Sequence, residues 1–237
     1  MEQVGTVKAV FRHPVKSMRG EELDAATIGW HGVDGDRRFA FVKSNSPSGF
    51  PWLTARELHV MVRYVAHFSD PADVSSPLQV TTPEGHTLPL DDPALLAELS
   101  DHYGGPAHLM HLRKGCQDSS PLSLIGTATL AELSRRVGLE LSPRRFRPNI
   151  LAEVDTPFGE EGWLGHTLTF GSRPDSASIR ADRQNIRCVL TTVDPDTAEK
   201  SPQVLKTITQ ERDECAGIYL STVQPGTIQV GDPIYLT

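Results

Sequence analysis

The chain has little that would tie it to a membrane, a nucleic acid or an oxidising compartment. No apolar run reaches the roughly 20 residues of a membrane-spanning helix. The start, Met1-Glu2-Gln3-Val4-Gly5, lacks the basic and apolar regions of a signal peptide. There are only three cysteines, Cys116, Cys188 and Cys215, with no CxxC spacing. An odd count without pairing pattern argues against a disulfide framework and for a reduced, cytoplasmic setting. The net charge of −7 disfavours nucleic acid and anionic lipid as partners. No Walker A sequence, GxGxxG after a strand, GxSxG elbow or HExxH is present, which removes the common nucleotide, hydrolase and zinc-protease signatures.

Lysine is scarce where arginine is not. Of 23 basic residues 17 are Arg, and seven of these lie between Leu141 and Leu190, where there is no Lys. The planar guanidinium fork suits phosphate and carboxylate. A general bias toward Arg accounts for the overall ratio but not for this clustering. His108 and His111 lie near Cys116, but on a strand they point to opposite faces, which disfavours shared metal ligation.

The elements are mostly β. Val4 to Arg12 reads as a strand ended by His13-Pro14, and further strands are predicted at Glu21–Ile28, Arg38–Lys43, Leu78–Thr82 and Ala107–Arg113. Gly32, Gly35, Pro47, Gly49, Pro83 and Gly85 punctuate them as turns. Asp92-Pro93 opens a helix toward Gly104. Ser120-Pro121 opens a second, with a stripe of Leu122, Ile125, Leu133 and Val137 that stops at Gly138. Ser201-Pro202 opens a third, to Arg212. Strands return at Asn149–Val154, Thr167–Phe170, Ile186–Val193, Gly217–Val223 and Thr227–Tyr235. The expectation is a mainly β (α+β) chain, a β-barrel-like unit over 1–115 followed by a second β-barrel with a few helices over 116–237.

Three segments combine chemically useful residues: Pro14-Val15-Lys16-Ser17 with Asp36-Arg37; Ser119-Ser120-Pro121 with Phe146-Arg147-Pro148-Asn149-Ile150; and Arg187-Cys188-Val189-Leu190-Thr191-Thr192-Val193-Asp194-Pro195. Lys16, Arg37, Arg147 and Arg187 supply cations, and Ser119 and Ser120 sit at the expected helix start, which favours an anion. The set fits an anionic, polar cofactor that carries a soft metal. Taken singly, each residue also reads as ordinary structure. Arg144, Arg145 and Arg147 suit a solvated face, Thr191-Thr192 suits a strand, and Cys188 suits a buried thiol in an apolar strand. Spacing alone favours those plainer readings.

Together and in order, these motifs resemble those of MOSC domains preceded by their N-terminal β-barrel domain. The resemblance extends to Gly217-Ile218-Tyr219 and to Pro225 through Pro233, so it spans essentially the whole chain. The group it resembles includes the mitochondrial amidoxime-reducing component and its bacterial relatives. It implies a molybdenum-cofactor-dependent oxidoreductase that reduces N-hydroxylated or N-oxide compounds. By the same resemblance Cys188 is the molybdenum ligand. Lys16, Ser17, Arg37, Ser119, Ser120, Arg147, Asn149, Arg187 and Thr192 contact the molybdopterin, and Asp194 holds the loop or a proton near the metal. An alternative is a sulfur-carrier or cofactor-handling protein that uses a persulfide on Cys188. Asn185 stands where amidoxime-reducing relatives often have a second cysteine, which leaves one thiol at the site. The mitochondrial members' N-terminal membrane segment is not found, and three cysteines fall short of an iron–sulfur cluster's four thiolates. Electrons are therefore expected from a separate ferredoxin or flavoprotein.

Overall fold

The computed structural model describes residues 2–46 and 49–237. Pro47, read from sequence as a turn, lies outside the described residues. The first half contains β1 (Glu2–Arg12), β2 (Glu21–Leu23), β3 (Ala25–Gly29), β4 (Gly32–Val33), β5 (Phe39–Lys43), β6 (Val65–Phe68), β7 (Leu78–Thr81), β8 (Thr87–Pro89), α1 (Pro93–Tyr103) and β9 (Ala107–His111). The second contains β10 (Leu122–Gly126), α2 (Thr127–Val137), β11 (Ile150–Glu153), β12 (Thr167–Phe170), β13 (Ser178–Ile186), α3 (Pro202–Arg212), β14 (Cys215–Gln224), β15 (Gly226–Gln229) and β16 (Pro233–Leu236).

Seven strands close a barrel in the order β11-β10-β14-β13-β12-β16-β1, with β1 pairing back to β11. Closure leaves the barrel strands no free edge. The pairs are antiparallel except β10 and β11, which are parallel and joined through α2, as a parallel crossover requires. The strand β1 thus belongs to the first half in sequence and to the barrel in space. A register shift between Val7 and Ala9 inserts one extra residue opposite β11. Val7 and Val10 therefore both point into the barrel core, with Leu122, Leu124, Phe170, Ile179 and Ile218. Ala9 and Phe11 point outward and pack with Ile125, Leu133, Val204 and Ile208 under α2 and α3. A separate core, built on Val15, Met18, Phe41, Tyr64, Leu95 and Leu99, holds the β5-β9 and β6-β7-β8 sheets and α1 together.

Several local expectations differ from what forms. The helix expected from Ser120-Pro121 starts only at Thr127, because Leu122–Gly126 is the barrel strand β10. All five of its residues are buried, Leu122 and Leu124 inside the barrel and Ile125 against α2. A strand covered on both faces reads as a continuous apolar run, so its period does not separate it from a helix. Ser119 and Ser120 consequently have no helix terminus to offer an anion. The expected strand Ile186–Val193 ends at Ile186. Val189–Thr192 forms a turn of 3-10 helix, and Cys188 caps it in extended conformation. The hydroxyls of Thr191 and Thr192 donate to the carbonyls of Cys188 (2.9 Å) and Val189 (2.7 Å), local bonds that favour the turn over a ladder. Glu21–Ile28 breaks at Asp24 between β2 and β3, and Thr227–Tyr235 breaks at Gly231, whose φ is 88°.

Candidate active site

Six segments, one of them Thr54–Arg56 in the loop after β5, meet at one end of the barrel and line a cleft of about 800 Å³, counting its open mouth. Pro14–Ser17 follows β1, Arg37 precedes β5, and Gln117–Ser120 precedes β10. Arg145–Asn149 precedes β11, and Asn185–Thr191 ends β13 and continues past it.

Each segment is pinned by buried neighbours. Val15 and Met18 are fully buried on either side of Lys16 and Ser17, and the Lys16 amide donates to the Phe39 carbonyl (2.8 Å). The Arg37 amide donates to the His13 carbonyl (2.7 Å), and the fully buried Asp36 accepts from the His13 amide (2.6 Å). Asn149 ties three strands together: its Oδ1 accepts from the Ser123 amide (3.2 Å) and its Nδ2 donates to the Phe11 carbonyl (3.3 Å). Ser17, Arg37 and Arg147 have φ of 70°, 50° and 49°, the left-handed region that disfavours residues with a Cβ. All three line the cleft. Strained backbone gathered in one place is a mark of functional sites.

The cleft is cationic, with Lys16, Arg37, Arg56, Arg145, Arg147 and Arg187 in its walls. Four of these have carboxylate partners. Asp118 accepts from Lys16 (2.5 Å) and Arg56 (2.7 Å), Asp36 pairs with Arg37, and Asp194 accepts from Arg145 (2.6 Å). Among the described residues Arg147 and Arg187 have only backbone carbonyls as side-chain acceptors, those of Met18 and Phe146, each at 2.6 Å. Burial, followed by repulsion from Arg37, pulls Arg147 down to about 9 despite Asp36 and Asp118. Burial likewise pulls Arg187 down to about 10. A buried cation so depressed is one that lacks an anion. Five cleft-lining residues also carry a buried polar atom with no hydrogen-bond partner among the described residues: Gln117 Nε2, Arg145 Nε, Arg147 Nη2, Asn185 Oδ1 and Arg187 Nε. Buried polar groups are normally satisfied, so such a cluster points to a polar ligand.

Nine residues singled out from sequence line this cleft: Lys16, Ser17, Arg37, Ser119, Ser120, Arg147, Asn149, Arg187 and Cys188. Cys188 is half-buried, whereas Cys116 and Cys215 are buried and their thiols are pushed up in pKa by that burial. Thr192 does not line the cleft; its hydroxyl is used inside the turn, and Thr191 lines the wall instead. Asp194 lies behind the wall. Burial pushes its carboxyl up, but the amides of Thr197 and Asp196 and the Arg145 guanidinium outweigh this and hold it low. Its two oxygens are spent on those amides (3.0 and 2.9 Å) and on Arg145, so it braces the loop that carries Cys188. Arg56, Asp118, Arg145, Asn185 and Thr191 were not selected from sequence. Arg56 and Asp118 sit in irregular loops with no pattern to mark them, while Arg145 and Thr191 lie inside selected motifs next to the residues chosen. Among the described residues no three His, Cys, Asp or Glu side chains cluster as a metal site. A metal at Cys188 would need most of its ligands from a cofactor.

Residues 101–235 match the MOSC domain, and residues 4–98 match the MOSC N-terminal beta barrel domain. The chain is 33% identical over 132 residues to mitochondrial amidoxime-reducing component 1 of Homo sapiens, covering 50% of this chain and 37% of that protein. It is 34% identical over 131 residues to mitochondrial amidoxime reducing component 2 of Macaca fascicularis, with the same coverage. The matched region is thus well under half the length of these relatives. The structure of YUAD protein from Bacillus subtilis aligns over 98% of this chain and 94% of that one, with a TM-score of 0.53 and 13% identity, a likeness of fold.

Proposed function

The chain belongs to the MOSC domain family, and from that premise we propose that it is a molybdenum-cofactor-dependent reductase of N-hydroxylated compounds, with Cys188 as the protein ligand to the metal. The observation that carries this reading is the pairing of a half-buried thiol with unsatisfied cations in one cleft. Cys188 shares its walls with Arg147 and Arg187, whose charges have no carboxylate partner. That donor set fits the cofactor: a soft thiolate for the metal, guanidinium forks for the phosphate, and Asn185, Gln117 and the serines for a polar heterocycle. When bound, the cofactor supplies the two-electron chemistry that removes oxygen from nitrogen.

The protein's own part is placement. Asp194 and Arg145 hold the turn that presents Cys188, through the 2.6 Å ion pair and the bond from Arg145 to the Thr192 carbonyl (3.0 Å). Asp118 meets Lys16 and Arg56, so an anion arriving there competes with a carboxylate and is selected for strength of charge. Ile186, exposed in the cleft wall beside Arg187-Cys188, gives the cleft an apolar edge suited to the body of a small organic substrate. The amidoxime-reducing names of the relatives support reduction of an N-hydroxylated substrate.

The test is turnover of an N-hydroxylated amidine by cofactor-loaded protein, with each reductant separately. Reduced viologen should support it, because it delivers electrons directly, and NADPH alone should not, because the chain has no flavin or nicotinamide fingerprint. Turnover with NADPH alone would contradict the reading. Turnover with neither, together with a labile sulfur adduct on Cys188, would favour sulfur transfer.

A further inference from the structure

A second cavity, of about 490 Å³ with its mouth, lies behind the cleft and shares Arg145, Arg147 and Leu190 with it. Its remaining cations, Arg19 and Arg144, do not line the cleft. One carboxylate, the exposed Glu22, stands in its wall against four guanidinium groups.

The hydrogen bonds of these arginines leave a consistent remainder. Arg145 is 6% exposed; its Nη1 and Nη2 are taken by Thr192 and Asp194, and its Nε is buried without a partner. Arg19 gives Nη2 to Pro195 and Asp196 and keeps an unpartnered buried Nε. Arg147 gives Nη1 to Met18 and keeps an unpartnered Nη2. Arg144 is exposed and makes no side-chain hydrogen bond among the described residues. His13 adds no charge, since burial, Arg147 and Arg37 hold its imidazole well below the usual range. Phe11, Val62 and Val193 make the rest of the wall apolar. Arg19 and the exposed Arg144 belong to this cavity alone, while Arg145 and Arg147 stand in the wall it shares with the cleft; such cations beside apolar side chains suit one kind of guest, an acceptor-only head on a hydrophobic body.

We propose that this cavity binds a small organic carboxylate, its head group held by Arg19, Arg144, Arg145 and Arg147 and its apolar body against Phe11, Val62 and Val193. The site is separate from the cofactor cleft and does not rest on the cofactor reading. Because Arg145 and Arg147 belong to both walls, an anion behind them weakens their hold on an anion in front, and by linkage the reverse holds to the same degree.

Benzoate is a suitable probe, titrated calorimetrically into the full chain with benzamide and inorganic phosphate as controls. Benzoate should bind saturably with one site, and benzamide roughly tenfold or more weakly, for want of charge-assisted hydrogen bonds. Phosphate, which has no apolar body, should not compete for this cavity; taken up by the front cleft it should weaken benzoate only partially, to a plateau, through the shared Arg145 and Arg147. Arg144→Gln, an exposed change that leaves the fold intact, should weaken benzoate several-fold. Val62→Phe should do so by filling the cavity. Arg56→Gln, in the cleft alone, should leave benzoate binding unchanged. No saturable binding, equal binding of benzamide, or weakening by Arg56→Gln as large as by Arg144→Gln would overturn the proposal.

Discussion

At Arg147 backbone strain, burial and unmet charge coincide. Its φ of 49° costs energy that a glycine would not, its guanidinium is depressed to about 9 by burial and by Arg37, and its Nη2 has no partner. A residue kept there against those costs is kept for its side chain. Arg147→Gly therefore separates fold from function. The backbone relaxes, so thermal stability should be equal to or above wild type. Cofactor retention should fall roughly ten- to a hundredfold, the loss of a charge-assisted hydrogen bond of about 1.5–3 kcal/mol. Equilibrium dialysis of pterin against both proteins checks it, and unchanged retention would remove Arg147 from the site. That Lys16, Arg147 and Cys188 gather at one cleft was legible from sequence because a motif carried each of them. It was not legible for Arg56 and Asp118, which come close to Lys16 only through a fold that joins positions 40 and 102 residues away.

At the scale of elements, α2 shows how a buried acid can start a helix. Glu160 is fully buried; its Oε1 accepts from the Gly126 amide (3.0 Å) at the helix start, and its Oε2 accepts from the Thr129 hydroxyl (2.8 Å). Burial raises its carboxyl above the ordinary value of 4.5, although these bonds oppose the shift. The folded state therefore holds this proton to higher pH than the unfolded chain does. The stability it contributes is complete below the ordinary carboxylate range and declines as pH rises through the raised value. Glu160→Gln should shrink the drop in urea midpoint between mildly acidic and neutral pH, and an unaltered drop would assign it elsewhere. Glu160→Ala should cost about 1–3 kcal/mol at either pH, because the Gly126 and Thr129 donors lose their acceptor. The helix end at Gly138, with φ of 74°, and the caps of α1 at Asp92 and Gly104 were readable because each is a local signal. The start of α2 was not, since β10 is apolar on both faces. The strand β13 escaped notice for the opposite reason: the polar Arg180, Asp182 and Arg183, exposed or half-buried, mask the buried Ile179 and Ala181.

At the scale of the whole molecule, β1 fastens the two halves of the chain together. It pairs with β11 through Thr6–Val10, with β16 through Glu2–Thr6 and with β2 through Val10–Arg12. Its continuation, Pro14–Ser17, forms one wall of the cleft. Barrel and cleft should therefore be lost together, in one calorimetric transition whose measured and van't Hoff enthalpies agree. Phe170→Ala, in the barrel core, should lower stability by about 3–5 kcal/mol and shift that one transition rather than split it. Two resolved transitions would contradict this coupling. The mainly β class and the order of motifs were visible in the sequence, but barrel closure depends on pairing between residues about 145 apart, which no local pattern encodes. The central claim, that Cys188 holds the metal of a cofactor seated in this cleft, is tested most directly by the molybdenum and pterin content of protein made in a host that synthesises the cofactor. Wild type and Cys116→Ser should carry both in near-stoichiometric amounts, and Cys188→Ser should lose the molybdenum. Wild type free of both, or Cys188→Ser as rich in molybdenum as wild type, would contradict it.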